Sequence, residues 1–306
     1  MIVDVATNLK YHTPVMLNEV IEYLKLKPGK VIVDATIGTG GHSKAILGRI
    51  VPKGRLIGID RDEESLAVAR ERLKDSADSL ELVHRNFVDI DKVLKELNIK
   101  KVDGILFDLG VSSFQLDDPQ RGFSFLNEGP LDMRLDRGSY ISAYDLVNNL
   151  NEEEISLLLW NFGEERWHNR IAHLLVEERQ RHPIATTREL ADIVERAIPA
   201  RYRGRHYRIH PATRTFQAVR IAVNRELEIL ESAIEKAAVA LGKGGVICVI
   251  SFHSLEDRTV KHTFKRLANE KIINIITPKP LTPTQSETEV NPRSRSSKFR
   301  VAEKSR

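Results

Sequence analysis

Val31-Ile-Val-Asp-Ala-Thr-Ile-Gly-Thr-Gly-Gly-His42 decides how this chain folds. Mostly apolar residues run into an acid, Asp34, then into Gly38, Gly40 and Gly41, and a helical pattern follows. A buried strand that ends in a tight turn and opens a helix is how a doubly wound sheet holds a nucleotide-like ligand. Leu56-Ile-Gly-Ile-Asp60 then supplies a second strand, with an acid at its tip that can take both hydroxyls of a ribose. Ser43 follows His42, so the third glycine of a dinucleotide fingerprint is missing. That glycine lets helix and strand pack closely in pyrophosphate-binding folds. Its absence favours S-adenosylmethionine, which carries no phosphate, over NAD or a nucleotide. A purely structural turn is the remaining alternative, since glycine also serves wherever the backbone needs positive φ.

The rest of the chain bounds the answer. At 306 residues it can hold one large core or a core plus a smaller domain. An apolar content of 41% beside 29% charged residues describes a folded protein. No apolar run is long enough to cross a bilayer, and Met1-Ile-Val-Asp-Val lacks the basic start of a secretory signal. A single cysteine excludes a disulfide scaffold and any multi-cysteine zinc site, so a cytoplasmic location is expected. No tight histidine or cysteine pattern calls for a protein-bound metal.

The net charge of +4 is mild, but its distribution is informative. Arg201-Tyr-Arg-Gly-Arg-His-Tyr-Arg-Ile-His210 presents Arg201, Arg203, Arg205 and Arg208 among tyrosines and histidines. Arg293-Ser-Arg-Ser-Ser-Lys-Phe-Arg300 adds Arg293 and Arg295. Either cluster alone reads equally as a solvated face. Two of them, one with interleaved aromatics, favour nucleic acid, with arginines on phosphates and tyrosines stacked on bases.

Strand and helix alternate from the first strand to Val102–Phe107, as in a mostly parallel sheet covered on both faces. That last segment ends in Asp108, so Asp34, Asp60 and Asp108 should line one crevice outside the strands' carboxyl ends. Between Val111 and Thr213 only helical periodicity and polar loops occur. Asn151 with Glu154, and Thr186 with Glu189, look like helix caps. The expected organisation is a sheet domain over 1–110, an inserted all-helical substrate-recognition domain over 111–213, and a return to the sheet domain over 214–306. The return should run as one long helix, Thr213–Leu241, into the strand Val246–Ile250. A strand over Ile272–Ile276, an exposed loop from Pro278 to Glu289, and an antiparallel edge strand Phe299–Ala302 should complete the fold.

Methyl transfer from a sulfonium needs an aligned nucleophile rather than a metal. Cys248, mid-strand among Val246, Ile247, Val249 and Ile250, reads as inert packing, which argues against covalent C5 chemistry on a pyrimidine. Direct N- or O-methylation is left. An exocyclic amine is a weak nucleophile, and a carboxylate that accepts its N–H bonds stabilises the charge developing on nitrogen. Asp108, Asp132 and His253 are the catalytic candidates. Asp132 equally suits a salt bridge to Arg134, and His253 a structural hydrogen bond.

Taken together, the blocks Tyr11–Val15, Asp34–Ser43, Asp108–Ser113, Arg121–Phe125, Gly129–Arg134, Gly163–Arg166, His210–Gln217, Ser251–Arg258 and Asn291–Arg295 closely resemble the bacterial S-adenosylmethionine-dependent 16S ribosomal RNA cytosine-N4 methyltransferases. The likeness covers nearly the whole chain. It implies a Rossmann-like class I methyltransferase fold and methylation at N4 of a decoding-centre cytidine, at the P site of 16S ribosomal RNA. It also implies cofactor contacts from Gly40, Gly41, His42, Asp60, Phe87, Asp108 and Gln115. Asp34 and Gly38 join that set from the strand-tip reading. One departure stands out. Many amino-methyltransferases end the fourth strand in Asp/Asn-Pro-Pro-Tyr/Phe, whereas this chain has Asp108-Leu-Gly-Val111, which leaves the activation of the amine open, with Phe114, Phe123 and Phe125 as candidates for stacking. A DNA amino-methyltransferase, or a ribosome-assembly factor that binds the cofactor without catalysis, are the competing accounts.

Overall fold

The computed structural model describes residues 14–202 and 210–305. The chain divides into two compact units, Met1–Gly110 with Leu227–Arg306, and Val111–Glu226.

The first unit is built on seven strands: β1 (Val31–Asp34), β2 (Arg55–Asp60), β3 (Leu80–His84), β4 (Val102–Asp108), β5 (Leu241–Ser251), β6 (Ile273–Ile275) and β7 (Lys298–Lys304). Their order is β3-β2-β1-β4-β5-β7-β6, with only β7 antiparallel to its neighbours. Successive residues of a strand face opposite sides. Val33, Ile57, Ile105, Phe107, Ile247 and Val249 therefore build one core with α4 (Ile90–Glu96), α11 (Glu226–Ala240) and α12 (Ser254–Asn269). Ile32, Leu56, Leu106, Val246 and Cys248 build the other, with α1 (Leu17–Tyr23), α2 (Gly41–Ile50) and α3 (Glu63–Arg72). Burial on both faces explains why these strands read as continuous apolar runs. The order reverses between β1 and β4, and ligands bind where strand order reverses.

The second unit is helical: α5 (Ser113–Asp117), α6 (Ala143–Asn149), α7 (Glu152–Gly163), α8 (His168–Arg179), α9 (Thr187–Ala197) and α10 (Thr213–Asn224). Asn151 with Glu154 and Thr186 with Glu189 form reciprocal capping boxes. The apolar stripes of these helices close on a core that includes Leu159, Ile171, Leu175, Leu190, Val194, Phe216 and Val219.

The structure corrects four expectations. The helix predicted over Thr213–Leu241 breaks at Arg225, which takes a left-handed conformation with φ 52°. Because Phe216, Ala218 and Val219 of α10 pack into the helical core, that unit extends to Glu226 rather than ending at 213. The strand expected at the sheet's edge, β7, lies between β5 and β6. The loop expected over Pro278–Glu289 contains α13 (Gln285–Val290), capped by Thr284, whose side chain accepts the Glu287 N–H.

Candidate active site

The turn after β1 is held by backbone hydrogen bonds to the tips of its two neighbours. Ala35 N–H donates to Leu106 O, and Ile37 N–H to Ile59 O. Gly38 N–H donates to Asp60 Oδ2 at 2.8 Å, and Asp108 N–H to Thr36 Oγ1 at 2.7 Å. Gly38 and Gly40 sit at φ 52° and 81°, where side chains are strained. A Cβ on Gly40 would meet Leu73 Cδ1 at 2.9 Å, and one on Gly41 would meet Pro14 Cγ at 3.2 Å. The loop is thus a backbone cradle, roofed by Pro14 and lined by the acids of β1, β2 and β4.

Each acid has a different setting. Asp60 accepts the Gly38 N–H on one oxygen and the Asp62 N–H on the other. A carboxylate oxygen has two lone pairs, so both oxygens can still accept from a ribose. Burial pushes the Asp60 pKa up, opposed by those two hydrogen bonds. Asp34 is buried and accepts from Ser43 Oγ at 2.7 Å. Burial pushes its pKa up to about 6 despite that bond. Asp108 has its pKa pushed up to about 7, by burial and then by the negative charge of Glu256. Its Oδ1 is buried and has no hydrogen-bond partner among the described residues. An orphaned carboxylate oxygen at a switch point is what a ligand N–H or O–H satisfies.

His42 connects these acids. Its Nε2 lies 2.9 Å from Val15 O, and a carbonyl only accepts, so Nε2 carries the proton. Burial lowers the His42 pKa, against the negative charges of Asp34 and Glu287, which raise it. In the neutral ring, the form that burial favours, Nδ1 presents a lone pair to Asp108 Oδ2 at 3.4 Å. A neutral acceptor facing a carboxyl is not an ion pair. The arrangement favours the protonated carboxyl, which matches the upward shift of Asp108.

Of the predicted site residues, Asp34, Gly38, Gly40, Gly41, His42, Asp60 and Asp108 come together at the strand tips. Phe87 follows β3, half-buried, with its ring edge-on to Phe107 at 5.8 Å. Gln115 lies in the helical unit, where its Oε1 accepts the Ser112 N–H in a capping box. The other two catalytic candidates, Asp132 and His253, make bonds that also hold the local structure. Asp132 receives Arg134 Nε and a terminal guanidinium nitrogen, each at 2.8 Å. Burial raises its pKa, but the Arg134 bonds and charge outweigh that and hold it below the usual range. A carboxylate so paired is a poor proton acceptor. His253 is the N-cap of α12, its Nδ1 accepting the Glu256 N–H at 3.3 Å. Its Nε2 stands 3.2 Å from Glu256 Oε1 without an aligned hydrogen bond.

Arg293 and Arg295 are exposed, whereas Lys298 and Arg300 of the same cluster pair with Asp257, Arg300 Nε at 2.6 Å. Arg203, Arg205 and Arg208 lie outside the described residues, as does the side chain of Arg201. Burial keeps Cys248 a thiol. Thr36, Ser43, Glu256 and the Val15 carbonyl were not singled out from sequence. Thr36 lies inside the opening motif and Ser43 directly after it, while Glu256 and Val15 O act through contacts that only the fold creates. No helix among the described residues is long and apolar enough to cross a membrane.

Residues 9–305 match the model of the MraW methylase family. The chain is 49% identical over 308 residues to the ribosomal RNA small subunit methyltransferase H of Clostridium botulinum (strain 657 / Type Ba4), with 96% of this chain and 98% of that protein covered. The protein of the same name from Clostridioides difficile (strain 630) is 47% identical over 309 residues, covering 96% and 99%. That from Halothermothrix orenii is 48% identical over 308 residues, covering 96% and 98%. With a glycine cradle, three strand-tip acids and a match that runs almost end to end, this chain belongs to the MraW methylase family.

Proposed function

We propose that the chain methylates the exocyclic N4 of a cytidine in the decoding centre of 16S ribosomal RNA, at the P site, by direct in-line attack, in the cytoplasm. S-adenosylmethionine is the cofactor, and when bound it supplies an electrophilic methyl on a sulfonium. Gly38, Gly40 and Gly41 would offer backbone to its amino-acid portion, Asp60 would take the ribose hydroxyls, and Phe87 would pack against the adenine. Asp34 and His42 brace the loop, and Gln115 keeps the cofactor role that the family likeness implies.

The orphaned Oδ1 of Asp108 carries the catalytic part of this reading. The amine's lone pair is delocalised into the ring. An acceptor for one of its N–H bonds localises that pair and stabilises the positive charge that grows on nitrogen. As the N–C bond forms and the S–C bond breaks, the surplus amine proton passes to Asp108. The His42 Nδ1 lone pair, which faces Oδ2 of the same carboxyl, favours the neutral over the ionised group as Oδ1 takes up that proton. Arg201, Arg203, Arg205, Arg208, Arg293 and Arg295 supply phosphate contacts to the RNA.

The test is transfer of labelled methyl from S-adenosylmethionine to purified small subunits, followed by nucleoside mass analysis. N4-methylcytidine in 16S RNA is expected. Label appearing only in duplex DNA, or tight cofactor binding with no methylated nucleoside, would replace this reading with one of its competitors.

A further inference from the structure

The segment that roofs the glycine cradle is held in an unusual way. Met16, fully buried, precedes α1 in the left-handed region with φ 51° and ψ 38°. That conformation is strained for a residue with a long side chain, and it persists only where the surroundings enforce it. No side chain of α1 caps its own N-terminus. Instead Glu287, far along the chain in α13, accepts the Met16 N–H on Oε1 at 2.6 Å. Glu287 is itself fixed, because Thr284 Oγ1 accepts its N–H at 3.2 Å.

The Met16 N–H and the Val15 carbonyl belong to one planar peptide group. Glu287 binds one end of that plane and His42 Nε2 the other, at 2.9 Å. We propose that Glu287 is a positioning residue for methyl transfer: by holding the Val15–Met16 peptide it fixes His42 as the Nε2–H tautomer and turns the Nδ1 lone pair onto Asp108. The inference rests on the reading of Asp108 as proton acceptor. A base gains rate when its protonated form is stabilised as the proton arrives, and the Nδ1 lone pair does that for Asp108. Without Glu287 the buried Met16 amide loses its acceptor, the peptide can rotate, and the tautomer is no longer imposed. The groups that act on His42 are Asp34, Asp108 and Glu287; Glu256 acts on Asp108.

The experiment compares the full-length protein with Glu287→Ala and Glu287→Gln. Long-range proton–nitrogen NMR reads the His42 tautomer, assigned by loss of its signals in His42→Gln. Steady-state kinetics on small subunits separate kcat from KM. The unaltered protein and Glu287→Gln, which keeps an acceptor, are expected to show Nε2–H. Glu287→Ala is expected to show mixed tautomers and a kcat lower by roughly tenfold, with KM for S-adenosylmethionine little changed. A lower melting temperature with the tautomer intact would make Glu287 a helix cap and overturn the proposal. So would an Nδ1–H tautomer in the unaltered protein, a result that needs no variant to fold. The tautomer is read without RNA, so failure of the RNA reading leaves this measurement standing.

Discussion

In the proposed mechanism Asp108 must be ionised when the amine arrives and protonated when the product leaves. Its setting biases it toward the second state, since burial, Glu256 and the His42 lone pair all favour the neutral carboxyl. The form that accepts a proton is the carboxylate, so activity should fall as pH drops through about 7. Asp108→Asn should lower kcat by ~10²–10³-fold, within the range for removing a general base. Stability should move the other way. A carboxyl raised in the folded state holds its proton there more tightly than in the unfolded chain. Its contribution is complete below the ordinary value of 3.8 and is lost as pH rises through about 7. Asp108→Asn should therefore melt higher than the parent at about pH 8, by on the order of 2 kcal/mol, with the gap closing toward about pH 4. Melting curves across that interval check the sign, and a variant less stable at high pH would mean that Asp108 is ionised and paired in the fold. Asp60→Ala makes a different prediction. It removes acceptors from both the ribose and the Gly38 amide, so cofactor affinity measured by calorimetry should drop by about 1–3 kcal/mol.

At the scale of elements, what was legible depended on whether a signal was local. The strands around Val33, Ile57, Ile105 and Val249 announce themselves as apolar runs because both faces are buried, and the turn glycines announce the cradle. For Asp132 and His253 the sequence offered catalysis and a structural bond side by side, because a salt bridge and a helix cap use the same residue types as catalysis. The position of β7 inside the sheet was unreadable, since periodicity shows that a strand exists and not which strands flank it. Glu287 fell in a stretch read as loop, and its partner lies 271 positions away. The break at Arg225 is the clearest case: no glycine or proline marks it. It is enforced by Arg220, which grips Glu226 through two bonds of 2.9 and 2.8 Å, and by Asn224. Asn224 donates to Met133 O at 2.7 Å and accepts the Leu135 N–H at 2.9 Å. Asn224→Ala leaves buried backbone groups unpaired and should destabilise the protein by about 2 kcal/mol. Chemical denaturation would check this, and an unchanged midpoint would show that the kink is set by Arg220 and Glu226 alone.

Across the whole molecule the formal charge is only +4, so RNA affinity cannot come from bulk attraction and must be concentrated in patches. In the second basic cluster of the sequence, Lys298 and Arg300 share the single carboxylate of Asp257, and Arg293 and Arg295 are exposed at the surface. An internally paired cation releases no counterion when RNA binds. Only arginines that meet phosphates contribute to the slope of log affinity against log salt, at about 0.7 per contact for single strands and about 0.9 for duplex. Replacing Arg203, Arg205 and Arg208 by alanine should therefore weaken RNA binding and flatten that slope by roughly 2 to 3. Replacing Arg293 and Arg295 should flatten it by at most about 2. Arg300→Ala should leave the slope intact while lowering the melting temperature, because it strips Asp257 of a buried partner. Binding titrations of small-subunit RNA at several salt concentrations separate these outcomes. A slope unmoved by the 203–208 replacements would assign that segment to something other than phosphate contact, and a slope changed by Arg300→Ala would mean the Asp257 pair opens when RNA binds.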